Sequence, residues 1–378
     1  MIADWEHEIS AYLEQRKHEN TFRALSLPTE GIDFCSNDYL GLSKSAWIAQ
    51  RVDNYITKAY KNHNYGATGS RLLSGQSQLV ADVENLIAAF HHAESALLFS
   101  SGYLANLGII STIAREGQII FYDKNIHASL YQGIKLSEAK AFPFAHNKLE
   151  ELEHLAENHT ATIRYVVIES IYSMDGDYIN KAELLSICKK YKLILIVDEA
   201  HAIGIYGHKG QGMFSSEEAA IRIVTYGKAL GYHGAAVLTN NLTRDYLINF
   251  CKTFIYTTAP SLADLLRLKS TYEYLYIFDN QQIKLLKLIN YFTTNNFSNY
   301  PNLTGKGPIF GYITRSTTSA KKLANYLQDS GINIKPIVYP TVEKSKERIR
   351  INLHSYNTFE DIDLLMKKIK AWETEDIS

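Results

Sequence analysis

Between about Gly66 and Pro260 the chain alternates between short apolar runs and helix-length amphipathic stretches. The runs are Ala96–Phe99, Gln118–Phe121, Tyr165–Ile168, Leu193–Val197, Ile223–Thr225 and Ala235–Leu238. Each is strand-sized and apolar nearly throughout, the pattern of a strand buried on both faces. Helical patterns at Leu79–Phe90, Tyr103–Arg115 and Lys181–Tyr191 lie between several of them. This alternation predicts an α/β architecture: a largely parallel sheet covered by helices on both sides. In such sheets ligands sit beyond the carboxyl ends of the strands, so the chemistry is sought there.

At 378 residues the chain exceeds one ordinary core, and a second, smaller unit is expected. The first twenty residues read as an amphipathic helix, and Gly31–Leu42 as a short strand running into a turn. A long helical stretch, Ser261–Phe292, precedes a second α/β pattern. This comprises a strand at Pro308–Thr314, a helix at Ala320–Asp329, strands at Ile332–Val338 and Arg348–Leu353, and a helix at Phe359–Trp372. The division expected is an N-terminal segment 1–40, a large domain 41–275 and a small C-terminal α/β domain 276–378. A formal charge of -1 gives no field that would draw nucleic acid or an anionic membrane, so a small molecule or a locally recognised carrier is the expected partner. Three widely spaced cysteines argue against a disulfide framework or a zinc site, and no metal is expected. The charged N-terminus lacks the apolar core of a signal peptide, and no apolar run is long enough to span a bilayer; a cytoplasmic protein is expected.

Asp198 follows the apolar run Leu193–Val197 and opens Asp198-Glu199-Ala200-His201. An acid there caps a helix, holds a metal or meets a ligand at the sheet edge. The same four letters occur in ATP-driven helicases, but those require a GxxxxGK[ST] phosphate loop, and neither GATGSR at 66–71 nor GHKGQG at 207–212 supplies it. Lys228 lies between Gly227 and Ala229 just past the strand Ile223–Thr225. A lone lysine there is ordinarily a solvated surface group; in a tight glycine-flanked turn it can instead be desolvated and form a Schiff base. Pyridoxal-phosphate (PLP) chemistry needs such a lysine, an acid for the ring nitrogen and donors for a phosphate. Asp198 and Lys228 supply the first two, and the amides of Ser101-Gly102-Tyr103, at the start of a helix, suit the phosphate.

The chain resembles the α-oxoamine synthase family of PLP-dependent enzymes. The matching runs, in order along most of the chain, include SNDYLGL (36–42), GATGSRLLSG (66–75), ALLFSSGYLAN (96–106), DKNIHASL (123–130), ESIYSMDGD (169–177), IVDEAHAIGIYGHKGQG (196–212), TYGKALG (225–231), FIYTTAPS (254–261) and RIRINLH (348–354). The resemblance implies the fold type I (aspartate aminotransferase-like) architecture, with a mainly parallel seven-stranded sheet in the large domain. It implies PLP joined to Lys228, which also exchanges the substrate Cα proton. Asp198 would face the ring nitrogen, His201 and Ser173 the ring oxygen, and His127 the ring face. Thr225 and the Gly102 and Tyr103 amides would hold the phosphate, and Thr258 would reach the phosphate of a neighbouring subunit in a homodimer. Arg350 would take the amino-acid carboxylate, Asn37 would line the substrate pocket, and Arg23 would touch the acyl substrate.

Plainer alternatives stand beside these roles. His127 reads equally as a cap or core histidine, and Ser173 and Thr225 as strand-end hydroxyls. Arg350 is on pattern an exposed strand position, and Arg348 shares its face. Glu199 reads as structural, and His91, His92 and His146 as surface or loop residues. The branch most resembled condenses L-alanine with a pimeloyl thioester, of CoA or of a carrier protein, in biotin biosynthesis; the alternative is a sister activity such as glycine C-acetyltransferase or serine palmitoyltransferase. One departure falls before Arg348: at Pro340–Glu347 the second proline and the glycine of the family's P-x-x-V-P-x-G loop are missing, which predicts a less rigid turn.

Overall fold

The apolar runs form strands because their side chains alternate between two separate cores. The computed structural model describes residues 2–25, 27, 30–59 and 65–376. Seven strands make one sheet: β1 Ser95–Phe99, β2 Ile119–Asp123, β3 Lys140–Phe144, β4 Arg164–Glu169, β5 Ile194–Asp198, β6 Ile221–Thr225 and β7 Ala235–Thr239. Their order is β1-β7-β6-β5-β4-β2-β3. Every neighbouring pair is parallel except those made by β7, which runs antiparallel to both β1 and β6.

Ile120, Val167, Ile196 and Ile223 point to one face, where they pack with Ile109, Ile110 and Leu130 from the helices Gly102–Ile113 and Ala128–Leu136. Phe121, Val166, Ile168, Leu195 and Val197 point to the other, against Leu152 and Leu184 from the helices Leu149–Asn158 and Lys181–Tyr191. Two covered faces give the layered α/β arrangement that the alternation predicts. The edge strand β3 is not among the runs predicted. It carries Pro143 and is mostly half-buried or exposed, the character of a strand that pairs on one side only.

The described chain divides into two units, residues 37–173 with 178–285, and residues 1–36 with 174–177 and 286–378. The first holds the seven-stranded sheet. The second holds a four-stranded antiparallel sheet of β8 Leu303–Gly305, β9 Ile309–Ile313, β10 Lys335–Ile337 and β11 Arg348–Asn352, in the order β10-β11-β9-β8. In the same unit Ile32–Asp33 pairs in parallel with Ile332–Asn333. The strand predicted at Ile332–Val338 is therefore two short strands belonging to different sheets. The stretch Ser261–Phe292 is likewise two helices, Leu262–Ile277 and Asn280–Asn296, because Phe278 turns extended at φ -118°, ψ 137°. The N-terminal helix forms as Ile2–His18 but buries none of its side chains. At the departure loop Ser345 takes φ 67°, a left-handed conformation that a glycine adopts without cost.

His91 corrects the surface reading given to it. It is 2% exposed, with Nδ1 3.0 Å from the Gln211 carbonyl and Nε2 3.0 Å from the Tyr272 hydroxyl. Burial, and then the Arg222 charge, push its pKa down from 6.5 to about 3. The neutral ring therefore contributes its full stability above pH 6.5 and loses it as the pH falls towards 3. Between about pH 7 and about pH 5 this one group is expected to cost about 2 kcal/mol of unfolding free energy. Denaturant titrations at both pH values, on the wild type and on His91→Gln, check this. The variant should lose less stability on acidification, and an equal loss in both proteins would rule the assignment out.

Candidate active site

The carboxyl ends of β2, β4, β5 and β6, with the turn leaving β1 and the turn entering β7, surround a cavity of about 270 Å³. Seven of the residues singled out in the sequence line it: Asn37, Gly102, Tyr103, His127, Asp198, Thr225 and Lys228. They meet because each strand ends at the same edge of the sheet, in agreement with the rule for open α/β sheets.

Asp198 is the last residue of β5 and is 5% exposed. Its Oδ1 accepts the backbone N–H of Ala200 at 2.9 Å, and its Oδ2 accepts from Asn106 Nδ2 at 2.6 Å. Asn106 lies one helical turn beyond Gly102 and also donates to Ser129 Oγ at 3.0 Å. Ser129 Oγ is 2.7 Å from His127 Nδ1, and the Ser129 backbone N–H donates to the same nitrogen at 3.3 Å. With Nδ1 accepting, the neutral imidazole carries its proton on Nε2. Burial lowers the His127 pKa, Asp198 opposes that shift, and the Lys228 charge reinforces it. One hydrogen-bonded chain thus runs from the acid on β5 to the imidazole after β2. The capping role considered for His127 is also real, since its side chain accepts the Ser129 amide at the start of the Ala128–Leu136 helix.

Lys228 is half-buried in the turn after β6, where its carbonyl accepts the Gly231 N–H at 2.8 Å. Thr225 is 8% exposed, and its Oγ1 is buried with no hydrogen-bond partner among the described residues. Gly102 begins the helix Gly102–Ile113, whose first-turn amides lack acceptors within the helix. A Cβ at Gly102 would stand 2.5 Å from Thr225 Cγ2, so only glycine allows the backbone and the threonine this close. An orphaned buried hydroxyl facing first-turn amides is a cradle for an anion such as a phosphate.

Other predicted residues lie elsewhere. His201 is 3% exposed; its Nδ1 is 2.8 Å from the Tyr39 hydroxyl, which donates to Asn37 Oδ1 at 3.1 Å. His201 thus reaches the cavity lining through Tyr39 and Asn37, and it lies in a turn rather than a helix. Ser173 is half-buried and is not part of the cavity lining. Thr258 lines a second cavity, of about 170 Å³, which shares His233 and Gly234 with the first. Arg23 and Arg350 belong to the other unit, where Arg23 Nη2 donates to Thr341 Oγ1 at 3.1 Å. Arg348, its rival on β11, is 2% exposed and committed within that unit: its Nη1 donates to Asp175 Oδ1 at 2.9 Å and to the Met174 carbonyl at 3.0 Å. Arg350 is half-buried. His146 lies in a turn, as read, and is half-buried. Its Nδ1 is 3.0 Å from the buried Asp123 Oδ1, which also accepts the Asn125 N–H. The cavity-lining residues Asn106, Ser129 and Glu169 were not identified from the sequence, although all three lie inside the matching runs 96–106, 123–130 and 169–177. The helical spacing of Gly102 and Asn106 was the one signal available for them.

The family model for aminotransferase class I and II matches residues 29–369. An 8-amino-7-oxononanoate synthase of Emericella nidulans is 38% identical, over 95% of this chain and 94% of its own. The crystal structure of 8-amino-7-oxononanoate synthase from Francisella tularensis superposes with a TM-score of 0.78 at 29% identity, covering 92% of this chain and 99% of that one. A serine palmitoyltransferase from S. paucimobilis with bound PLP-myriocin aldimine shares the fold, with a TM-score of 0.86 at 22% identity over 98% of both chains. With the site at the carboxyl edge of a seven-stranded sheet and these likenesses along nearly its whole length, the chain belongs to the aminotransferase class I and II family, in the α-oxoamine synthase group that holds the 8-amino-7-oxononanoate synthases.

Proposed function

We propose that this protein condenses L-alanine with a pimeloyl thioester, releasing thiol and carbon dioxide and forming 8-amino-7-oxononanoate, with PLP held at Lys228. The observation that carries the reading is the 38% identity, over 95% of the chain, to a relative named for that product. The composition of the cavity supports the cofactor: a lysine, a buried acid, an imidazole and an orphaned hydroxyl beside first-turn amides all line it.

PLP, when bound, supplies an electron sink for the negative charge that develops at the substrate Cα. The residues of the chain do the rest. Thr225 and the amides of Gly102 and Tyr103 hold a phosphate through an anion site of neutral donors. Asp198, fixed by Ala200 and Asn106, is the acid that holds a proton on a ring nitrogen. His127, neutral and oriented by Ser129, would face the cofactor ring and present its Nε2 proton to the thioester oxygen. The Lys228 amine takes the alanine Cα proton and returns a proton after carbon dioxide leaves. In this reading the amino-acid carboxylate is taken by Arg350, the residue to which the family resemblance points, through a bidentate pair. The reading includes a homodimer in which Thr258 serves a neighbouring site, and a cytoplasmic setting. No helix among the described residues is long and apolar enough to cross a membrane.

A strain lacking 8-amino-7-oxononanoate synthase tests the reading: expression of this chain should restore growth without biotin. Failure to restore growth by a protein shown to be folded and loaded with PLP would favour a sister condensation instead.

A further inference from the structure

The cavity also holds a buried acid to which none of these roles has been given. Glu169 ends β4 opposite Asp198, its register partner at the end of β5. It is 2% exposed and lines the cavity. Its carboxyl group accepts the backbone N–H of His127, while Oε1 has no hydrogen-bond partner among the described residues.

Three acids stand close together at this edge of the sheet, and they are not equally supplied with donors. Asp198 accepts from Ala200 and Asn106. Asp123 accepts from the Asn125 and Asn147 amides and faces His146. Among the described residues Glu169 receives only the His127 amide, so a proton is least opposed there. The charged and titratable groups that face it are Asp198, Lys228 and Asp123. Burial first, and then Asp198, hold its carboxyl well above the usual carboxylate range, against a smaller downward pull from Lys228 and the His127 amide.

We propose that Glu169 is a positioning residue of this site, carried as the neutral acid: its carboxyl ties down the His127 amide, and its Oε1 side turns a hydrogen-bond donor into the cavity, toward an acceptor on the bound cofactor or substrate. A buried O–H without an acceptor is costly, and the ligand removes that cost on binding. The proposal rests on the cavity being the ligand site but not on which amino acid or acyl chain is used.

Infrared spectroscopy of the protein at neutral pH should show the C=O stretch of a protonated carboxylic acid that Glu169→Gln abolishes. The band is read in the apoprotein too, so a negative result in a thiol-release assay leaves this test intact. In the PLP-loaded protein, Glu169→Gln should leave the pH midpoint of the cofactor's visible absorption unchanged, because an amide replaces a neutral acid. Glu169→Ala should weaken PLP binding by about tenfold or more, since the His127 loop loses its anchor and the cavity a donor. No acid band, or a midpoint that falls by about one pH unit in Glu169→Gln as a lost negative charge beside Lys228 would give, overturns the proposal. If Glu169→Ala does not fold, the band and the Glu169→Gln midpoint decide.

Discussion

Lys228→Ala is expected to fold normally, lose the covalent attachment of PLP and fall in turnover by at least about 10⁴-fold. Folding should survive because Lys228 is only half-buried, in a turn closed by the backbone bond from the Gly231 N–H to its carbonyl, which the substitution keeps. Turnover should not survive, because one amine both joins the cofactor and moves the Cα proton, and the lining residues His127 and Asp198 are already engaged with Ser129 and Asn106. The visible spectrum and steady-state kinetics of the purified variant check both statements. Retained turnover would mean that another group carries the proton and that the cofactor reading of this turn is wrong.

The second large effect concerns stability. Glu199 is fully buried, and Arg222 is 1% exposed. Glu199 Oε1 accepts from Arg222 Nε at 3.1 Å and from the Phe214 N–H at 2.9 Å, and Oε2 accepts the Met213 N–H at 2.8 Å. Arg222 in turn donates through Nη2 to the Gln211 carbonyl at 2.5 Å. Glu199→Ala leaves the guanidinium buried without its counter-charge and two amides without acceptors, and is expected to cost about 3–5 kcal/mol. Denaturant unfolding of the wild type, Glu199→Ala and the double variant Glu199→Ala/Arg222→Met measures it. The double variant should recover part of the loss, because no unpaired charge remains. A loss under about 1 kcal/mol in the single variant would show that the pair is not what holds the 211–214 loop against β6.

This pair also explains the four letters that suggested an ATP-driven motor. In Asp198-Glu199-Ala200-His201 only the acid that ends β5 lines the cavity with Ala200; Glu199 points into the structural pair, and His201 bonds Tyr39. Asp198, Thr225 and Lys228 were legible because strand ends in a parallel sheet gather at one edge, so their places follow from the apolar runs. Strand β3 was not legible, since Pro143 and its exposed positions break the apolar pattern that marks a buried strand. Asn106, Ser129 and Glu169 stayed hidden for another reason. A polar side chain on a helix or at a strand end reads as solvated until the packing shows it to be buried. His91 was misread on the same ground, because nothing in its local sequence announces Tyr272 as a partner.

The pairing of alanine with a pimeloyl thioester can be tested directly. The most direct measurement is thiol and carbon dioxide release by the PLP-loaded protein from pimeloyl-CoA and from pimeloyl carrier protein, with L-alanine, glycine and L-serine compared side by side. Both should be released with alanine from at least one of the two donors, in equal amounts, and little with glycine or serine. Release with glycine or serine in preference to alanine, or none from either donor, would contradict that pairing.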